Sequence, residues 1–207
     1  MQKKAATKII VADATKESVF RLDLSSGYDL STATMDRGAV TSAHLHTQLG
    51  SGYSGVTNHM YQFDSGSRLY VQQGGDLHQY GLSTPYDGTT ISHVRSITLA
   101  LSANGYTQDG DGFWISDDGT KLFWHDNAGD ILRYTMSTAW DISTLSTLPD
   151  QTSIGGTISS IDPNGALALD NSSAPDNVSF DPSGTRMYVL GGAYMHQYKL
   201  ATAWDIT

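Results

Sequence analysis

Short hydrophobic runs separated by turn-forming residues recur along the chain. Residues 113–115 are apolar, residues 116–119 (Ser-Asp-Asp-Gly) have the composition of a turn, and residues 122–124 are apolar again. Residues 131–136 then alternate apolar and polar side chains, which is typical of a β-strand with one buried face. No long segment has the apolar period of a helix. The pattern therefore predicts an all-β protein.

One pattern occurs four times, and it consists of a hydroxyl residue, a base and three mostly apolar residues. A second phrase follows each copy and ends in Tyr or Trp followed by Asp. This Asp stands 20 to 22 residues after the hydroxyl residue. The repeat cores are about 7–29, 67–87, 120–141 and 185–205. Each connector adds one candidate extended segment, so a repeat has about four strands, the content of a propeller blade. The sequence predicts a single repeat domain over residues 1–207, β-propeller-like with four repeats.

The fourth copy carries a family resemblance. Residues 180–189 read Phe-Asp-Pro-Ser-Gly-Thr-Arg-Met-Tyr-Val, and residues 196–207 end the copy with a Trp-Asp phrase. This copy resembles a blade of the YVTN-type β-propellers. It is most similar to the variant with a Ser-Thr-Ala-Trp-Asp-Ile-Ser-Thr phrase, which stands here at residues 137–144. The resemblance implies a binding module of bacteriophage particles or bacterial surfaces, and it carries no catalytic signature.

The four hairpins of the repeat are joined by three connectors. A closed ring of four complete blades would need about one connector more. Three explanations stay open: the ring is open, a neighbouring chain supplies the missing strands, or the sequence belongs to a longer propeller. Because open strand edges promote pairing, we expect assembly with neighbours.

Charge and cysteine content exclude several classes of function. The chain has 12 Lys and Arg against 21 Asp and Glu, a net charge of −9, and no cysteine. Such an acidic chain has no general attraction for nucleic acid or anionic lipid. Without cysteine there is no disulfide, thiolate metal site or cysteine nucleophile. No apolar run reaches the length of a membrane helix, so we expect no membrane insertion.

Aromatic and acidic residues share one position in all four copies. Exposed aromatic rings beside carboxylates would suit a sugar-binding platform. Architecture repeats in every blade, whereas a ligand site usually breaks the pattern, so we expect these residues to pack between blades and cap turns. For the same reason we expect the repeated bases Lys8, Arg68, Lys121 and Arg186 to pair with the repeated Asp. The repeated aromatic and acidic residues are Tyr28, Asp29, Tyr86, Asp87, Trp140, Asp141, Trp204 and Asp205.

The most acidic stretch is a candidate calcium site. Asp109, Asp111, Asp117 and Asp118 lie in two Asp-Gly turns that could converge on one ion. Calcium takes six to eight oxygen ligands, but the EF-hand spacing with its distal Glu is missing. Turn formation alone also explains these residues. Calcium is the one cofactor that we consider; otherwise we expect none.

Histidines offer two weaker candidates. His44 and His46 would share one face of a strand, a spacing compatible with a metal pair or with a solvent-facing strand. His78 and His196 share a repeat position that is Leu132 in the third copy, which favours a packing role.

Connectors differ between copies, and binding residues concentrate on loops held by a rigid scaffold. Tyr53, His59, Tyr106 and Asn164 are therefore the candidate ligand-binding residues.

Together these observations lead to a functional hypothesis. We expect a non-enzymatic virion structural or attachment protein (phage tail, fibre or capsid-associated) that acts as a rigid interaction scaffold. Its partners would be other copies of itself or other virion proteins, and a host-surface glycan. The alternatives are a glycan-binding lectin of a phage or bacterial surface and a calcium-dependent propeller hydrolase or lyase. The location would be the virion, or alternatively the cell surface.

Overall fold

Strands dominate the computed structural model of the chain. It describes residues 8–13, 18–27, 29–40, 59–63, 66–73, 75–87, 90–99, 110–126, 130–153, 177–191 and 194–206. These residues form strands, turns and the 3-10 helices Leu30–Thr32 and Ile142–Thr144, with no α-helix among them. The described part of the chain also holds no helix long and apolar enough to cross a bilayer. The prediction of an all-β, propeller-like chain is confirmed.

Four small sheets follow one another along the chain, and in each the strands lie side by side in chain order. The first sheet contains β1 (Lys8–Asp13), β2 (Ser18–Leu24) and β3 (Ala33–Val40), and the second contains β4 (His59–Phe63), β5 (Arg68–Gln73), β6 (Asp76–Leu82) and β7 (Ile91–Thr98). The third contains β8 (Gly110–Ile115), β9 (Lys121–Asp126), β10 (Ile131–Thr135) and β11 (Gln151–Ser153), and the fourth contains β12 (Asn177–Phe180), β13 (Arg186–Gly191) and β14 (Tyr194–Lys199).

The chain divides into two compact units. One comprises Met1–Val71 and His78–Arg95, and it holds the first sheet and most of the second. The other comprises Gln72–Leu77 and Ser96–Thr207, and it holds the third and fourth sheets. The candidate site described below lies in this latter unit.

Aromatic rings pack the third sheet against the fourth. On the third sheet Trp114 and Phe123 are directly opposite each other across β8 and β9, so their side chains share one face. Phe180 of β12 packs on Phe123 with ring centroids 4.2 Å apart, and Trp114 stacks on Trp204 at 5.4 Å with an interplanar angle of 25°. We call Trp114, Phe123, Phe180 and Trp204 the aromatic cluster. Rings at these separations attract beyond the area that they bury.

A glycine beneath an aromatic ring closes the repeated hairpin. Gly119 has φ +72°, and the ring of Trp140 lies directly against it. Trp140 itself has φ +66°, and its main-chain N–H donates to the Gly119 carbonyl at 2.9 Å. Gly favours this left-handed conformation because it has no Cβ, and the same absence leaves room for the ring. The corresponding pairs are Gly66 with Tyr86 and Gly184 with Trp204.

The aspartate after the aromatic residue caps the next turn. Asp141 accepts a hydrogen bond from Ser143 N at 2.9 Å at the start of the 3-10 helix, and Thr144 Oγ1 donates to the Asp141 carbonyl at 2.8 Å. Asp29 caps the first copy in the same way, through Ser31 N at 3.0 Å. Hydrogen bonds from the Ser31 hydroxyl and N–H lower the pKa of Asp29. A carboxylate oxygen here satisfies N–H groups that the short helix leaves open.

We predict that Gly119→Ala destabilises the chain by about 2–4 kcal/mol, because the new Cβ would meet the Trp140 indole and the backbone would be strained. Chemical denaturation followed by tryptophan fluorescence measures this change. Gly81→Ala is the matched control, since a Cβ there lies 3.6 Å from Val94 Cγ2, an ordinary contact. The control should lie within about 1 kcal/mol of the unsubstituted chain. Equal losses in both variants would contradict the role of the glycine–aromatic pair.

Candidate functional site

Four polar side chains form a hydrogen-bonded group on the third sheet. We call Lys121, Arg133, Thr135 and Asp150 the polar cluster. Lys121 begins β9 and lies opposite Thr135 on β10. Arg133 lies two residues before Thr135 on the same strand, so the two side chains share a face. Asp150 precedes β11, and its N–H donates to the Arg133 carbonyl at 2.8 Å. Strand pairing thus brings residues from three segments together.

The contacts within the polar cluster run from the cations to the carboxylate. Lys121 Nζ donates to Thr135 Oγ1 at 2.8 Å, and the same hydroxyl donates to Asp150 Oδ2. Arg133 Nε donates to Asp150 Oδ1 at 3.0 Å. The side chains of Arg133 and Asp150 are 14% and 33% exposed, so solvent reaches the group while the arginine is largely enclosed.

Arg133 also ties the polar cluster to the next sheet. Its Nη1 donates to the main-chain carbonyl of Trp204 at 2.8 Å. Trp204 belongs to the aromatic cluster, so the guanidinium lies beside the packed junction of the third and fourth sheets. The position of the guanidinium is therefore set from both sides, by Asp150 and by the Trp204 carbonyl.

The pKa of Asp150 lies below its ordinary value. Partial burial alone would raise this pKa, but hydrogen bonds from Arg133 and Thr135 and the charges of Arg133 and Lys121 outweigh it. A carboxylate with a lowered pKa is a weak proton acceptor. We therefore regard Asp150 as a residue that orients Arg133 rather than as a general base.

The N–H donors of the polar cluster suit anions. Its own two cations and one carboxylate sum to about +1 in a chain whose net charge is −9, and the carboxylate of Asp118 lies near enough for the charge of Lys121 to lower its pKa. Lys has three N–H donors and Arg has five. In the contacts above, Lys121 uses one of its donors and Arg133 uses two. Such donors are typical of sites that bind phosphate or carboxylate groups.

A cleft of about 240 Å³ borders the polar cluster. Ser146, which lines it, accepts a hydrogen bond from Thr135 N at 3.2 Å. The cleft has hydroxyl and aliphatic walls, so it could hold a small polar molecule. Its lining consists of Ile97, Thr98, Leu99, Ile142, Ser143, Leu145, Ser146 and Thr147.

The polar cluster is not a general feature of the repeat. The position of Arg133 is Gln79 in the second sheet and Gln197 in the fourth, whereas the first sheet has Arg21 there. Sequence reasoning missed the cluster because it expected Lys121 to pair with the repeated aspartate, whereas its ammonium donates to Thr135. The acidic partner, Asp150, lies in a connector, where no repeat position identifies it. A signal was nevertheless present: a base replaces the glutamine of the second and fourth copies.

The candidate ligand-binding residues stay predictions. Tyr53, Tyr106 and Asn164 lie outside the described residues, as do His44 and His46. His59 is part of β4, and the structure describes its backbone alone. The shared histidines His78 and His196 are both buried.

The calcium hypothesis also stays a prediction. Asp109 lies outside the described residues, and of Asp111 the structure describes only its place in β8. Asp118 Oδ1 accepts hydrogen bonds from Ser116 Oγ at 2.6 Å and from Thr120 N at 2.9 Å, which closes the turn that also holds Asp117. Within the described ranges, no group of three or more His, Asp or Glu side chains is arranged to hold a metal ion.

The repeated positions have the geometry given above where the structure describes them. Tyr28 lies outside the described residues, and the next residue, Asp29, caps a 3-10 helix. The N–H groups of Asp87 and Asp205 close turns by donating to the carbonyls of Thr84 and Thr202, at 3.1 and 3.2 Å.

Comparison with known proteins found similarity in solved structures alone. No family model and no curated protein matches the chain. A Bacteroides uniformis structure named "putative 6-phosphogluconolactonase" aligns with a TM-score of 0.51 at 13% identity, over 88% of this chain and 43% of its own. A Lactobacillus plantarum protein aligns with a TM-score of 0.53 at 13% identity, over 95% of this chain and 51% of its own. The Cps50 (Swd1) β-propeller domain of Myceliophteria thermophila has a TM-score of 0.47 at 11% identity, over 95% of this chain and 54% of its own, and at that score it supports no conclusion.

These likenesses show the fold alone, and the chain spans about half the length of the structures that it matches. They also correct the functional hypothesis. The expectation of a non-enzymatic virion structural or attachment protein is wrong, because the first of these structures bears the name of an enzyme and neither of the first two bears the name of a phage component.

We predict that Asp150→Asn destabilises the chain at neutral pH and that the loss diminishes in acid. The folded-state pKa of Asp150 is lowered, so its contribution is present above the unfolded pKa of about 4 and disappears as the pH falls through the folded value. Urea denaturation of both chains between about pH 7 and pH 3 measures the difference. Asp117→Asn, which removes an exposed carboxylate from a turn, shows the general effect of one charge. A difference that stays constant down to pH 3 would contradict the ion pair.

Proposed function

We propose that this chain forms part of an enzyme-like β-propeller that binds a phosphorylated sugar lactone and hydrolyses it. The observation that carries the proposal is the polar cluster, in which a lysine and an arginine with further N–H donors lie beside a cleft. The likeness in fold to a structure named as a 6-phosphogluconolactonase supplies the substrate class. At 13% identity this likeness suggests a substrate to test and no catalytic residue.

The proposed role of the polar cluster is to bind the phosphate group. Lys121 and Arg133 donate to phosphate oxygens with the N–H groups that their protein contacts leave over. Asp150 and the Trp204 carbonyl hold the guanidinium in place, so little side-chain freedom is lost on binding. The sugar ring occupies the cleft, whose lining includes Ser143, Ser146 and Thr147.

The reaction is the addition of water to the lactone carbonyl. The water oxygen bonds to the carbonyl carbon, the ring C–O bond breaks, and the ring oxygen takes a proton, which yields a free carboxylic acid. The lowered pKa of Asp150 makes this residue unsuited to accept the proton from water. We therefore assign the polar cluster to substrate binding and not to proton transfer.

We also infer that the blades belong to the YVTN-type repeat with the Ser-Thr-Ala-Trp-Asp-Ile-Ser-Thr phrase. Support comes from the way this phrase folds at residues 137–144. Thr138 N donates to Thr144 Oγ1 at 3.0 Å, and Asp141 caps the turn between them. The phrase at residues 83–90 has the same closure, from Thr84 N to Thr90 Oγ1 at 3.1 Å.

The test is hydrolysis of 6-phosphogluconolactone by the full chain, followed by acid release in a pH-stat. We expect hydrolysis above the spontaneous rate and weaker binding of the same lactone without its phosphate. Lys121→Gln should raise KM for the phosphorylated lactone about tenfold, as expected for one charged hydrogen bond, with a smaller change in kcat. It should leave the KM of the unphosphorylated lactone unchanged.

The matched control is Arg68→Gln, since Arg68 has the repeat position of Lys121 in the second sheet. It should leave both KM values unchanged, and Lys121→Arg should restore most of the affinity for the phosphorylated lactone. Absence of hydrolysis would refute the proposed reaction. Equal effects of Lys121→Gln on both lactones would refute phosphate binding at the polar cluster.

A further inference from the structure

The fourth sheet has one covered face and one open face. Strand register places Phe180, Met187 and Tyr198 in one row, and all three are buried on the side of the third sheet. The opposite face holds the row Tyr188 and Gln197 and the row Leu190 and Met195. We call these four residues the open face. Met195 is 68% exposed and Leu190 is 40% exposed, Tyr188 is half-buried and Gln197 is exposed.

The open face has the composition of a face that is covered elsewhere in the chain. On the third sheet the position of Tyr188 is Phe123 and that of Met195 is Ile131, and both are completely buried. Phe123 is covered by Phe180 of the fourth sheet. On the second sheet the same positions are Tyr70 and Leu77, again completely buried. The fourth sheet thus repeats an apolar face without the cover that its counterparts have.

Exposed apolar area of this kind usually marks an interaction surface. Burying Met195, Leu190 and Tyr188 would remove apolar surface from water, which is favourable in proportion to the area removed. The cover that fits is another sheet, because the same positions in the third sheet are packed by a sheet. The geometry of that packing is already given by the aromatic cluster.

We propose that the open face binds the first sheet of a second copy of this chain. The residues of the first sheet that correspond to the covered row of the fourth are apolar: Ile9 stands at the position of Met187 and Leu22 at that of Tyr198. Ile9 and Leu22 are directly opposite each other across β1 and β2, as Val11 and Phe20 are. Leu22 is half-buried, whereas Tyr198 is 1% exposed, so the first sheet has apolar surface left to cover.

Two copies joined in this way complete each other. Each copy offers one open face and one first sheet, so the same head-to-tail contact can be made twice between two copies. The two solved structures with the higher TM-scores are matched over 43% and 51% of their length. Two copies of this chain therefore supply about the length of one such propeller. This assembly does not depend on the proposed reaction, and its test reads mass instead of activity.

The test compares the mass in solution of three chains by light scattering after gel filtration. We expect the unsubstituted chain to have twice the mass of a monomer and the double variant Leu190→Glu with Met195→Glu to have the monomer mass. Leu148→Glu is the matched control, because Leu148 is an exposed leucine (53%) in the segment before β11 of the third sheet, and it should keep the doubled mass. A monomeric unsubstituted chain, or a double variant that keeps the doubled mass, would overturn the proposal.

The direction of the contact is tested by cross-linking, which is unambiguous because the chain has no cysteine. Copies with Tyr188→Cys are mixed with copies with Leu22→Cys and treated with a thiol-specific cross-linker. We expect a cross-linked dimer in the mixture and none with either variant alone. A cross-linked dimer from Tyr188→Cys alone would show two open faces in contact with each other and would overturn the head-to-tail arrangement.

Discussion

The contact between a glycine and an aromatic ring is the constraint on which the repeated hairpin depends. In the three described copies the glycine and the aromatic residue both have positive φ, and the main-chain N–H of the aromatic residue donates to the glycine carbonyl. A side chain at the glycine would occupy the volume of the ring. The pair therefore fixes where the chain turns, and the position of the turn sets the register of the strands on either side. The aspartate that follows can then cap the next turn, as Asp141 does.

In the unit that contains the third and fourth sheets, the aromatic residue of such a pair also takes part in the contact between the two sheets. Trp204 lies on Gly184, and its ring also packs against Trp114 and Phe180. Its carbonyl accepts the hydrogen bond from Arg133. One residue thus closes its own hairpin, fills the junction between sheets and orients a cation of the polar cluster. Local turn chemistry, packing and electrostatics agree at this point, which is the condition for a sequence to specify one structure.

The functional hypothesis changed because repeats are informative about architecture and poorly informative about sites. The resemblance to phage and surface proteins rested on residues such as Trp140 and Asp141, which build hairpins. A fold of this kind hosts many unrelated functions. The residues that carry the present proposal, Arg133 and Asp150, stand where copies differ or where a connector runs. Their interaction depends on the short distance between them in the folded chain, and a repeat position contains no information on that distance.

The sequence by itself determined the class, the four repeats and the turn residues, because alternation of apolar side chains and the backbone freedom of glycine are local properties. Tertiary structure decided which faces are covered and which polar residues meet. Ile131 and Met195 have the same repeat position and similar hydrophobicity, yet one is buried and the other is 68% exposed. Likewise, Arg133 and Asp150 form an ion pair because β10 and β11 are neighbours in the third sheet. Burial and pairing depend on what lies across a sheet or beyond its edge, and that is a property of the packed chain.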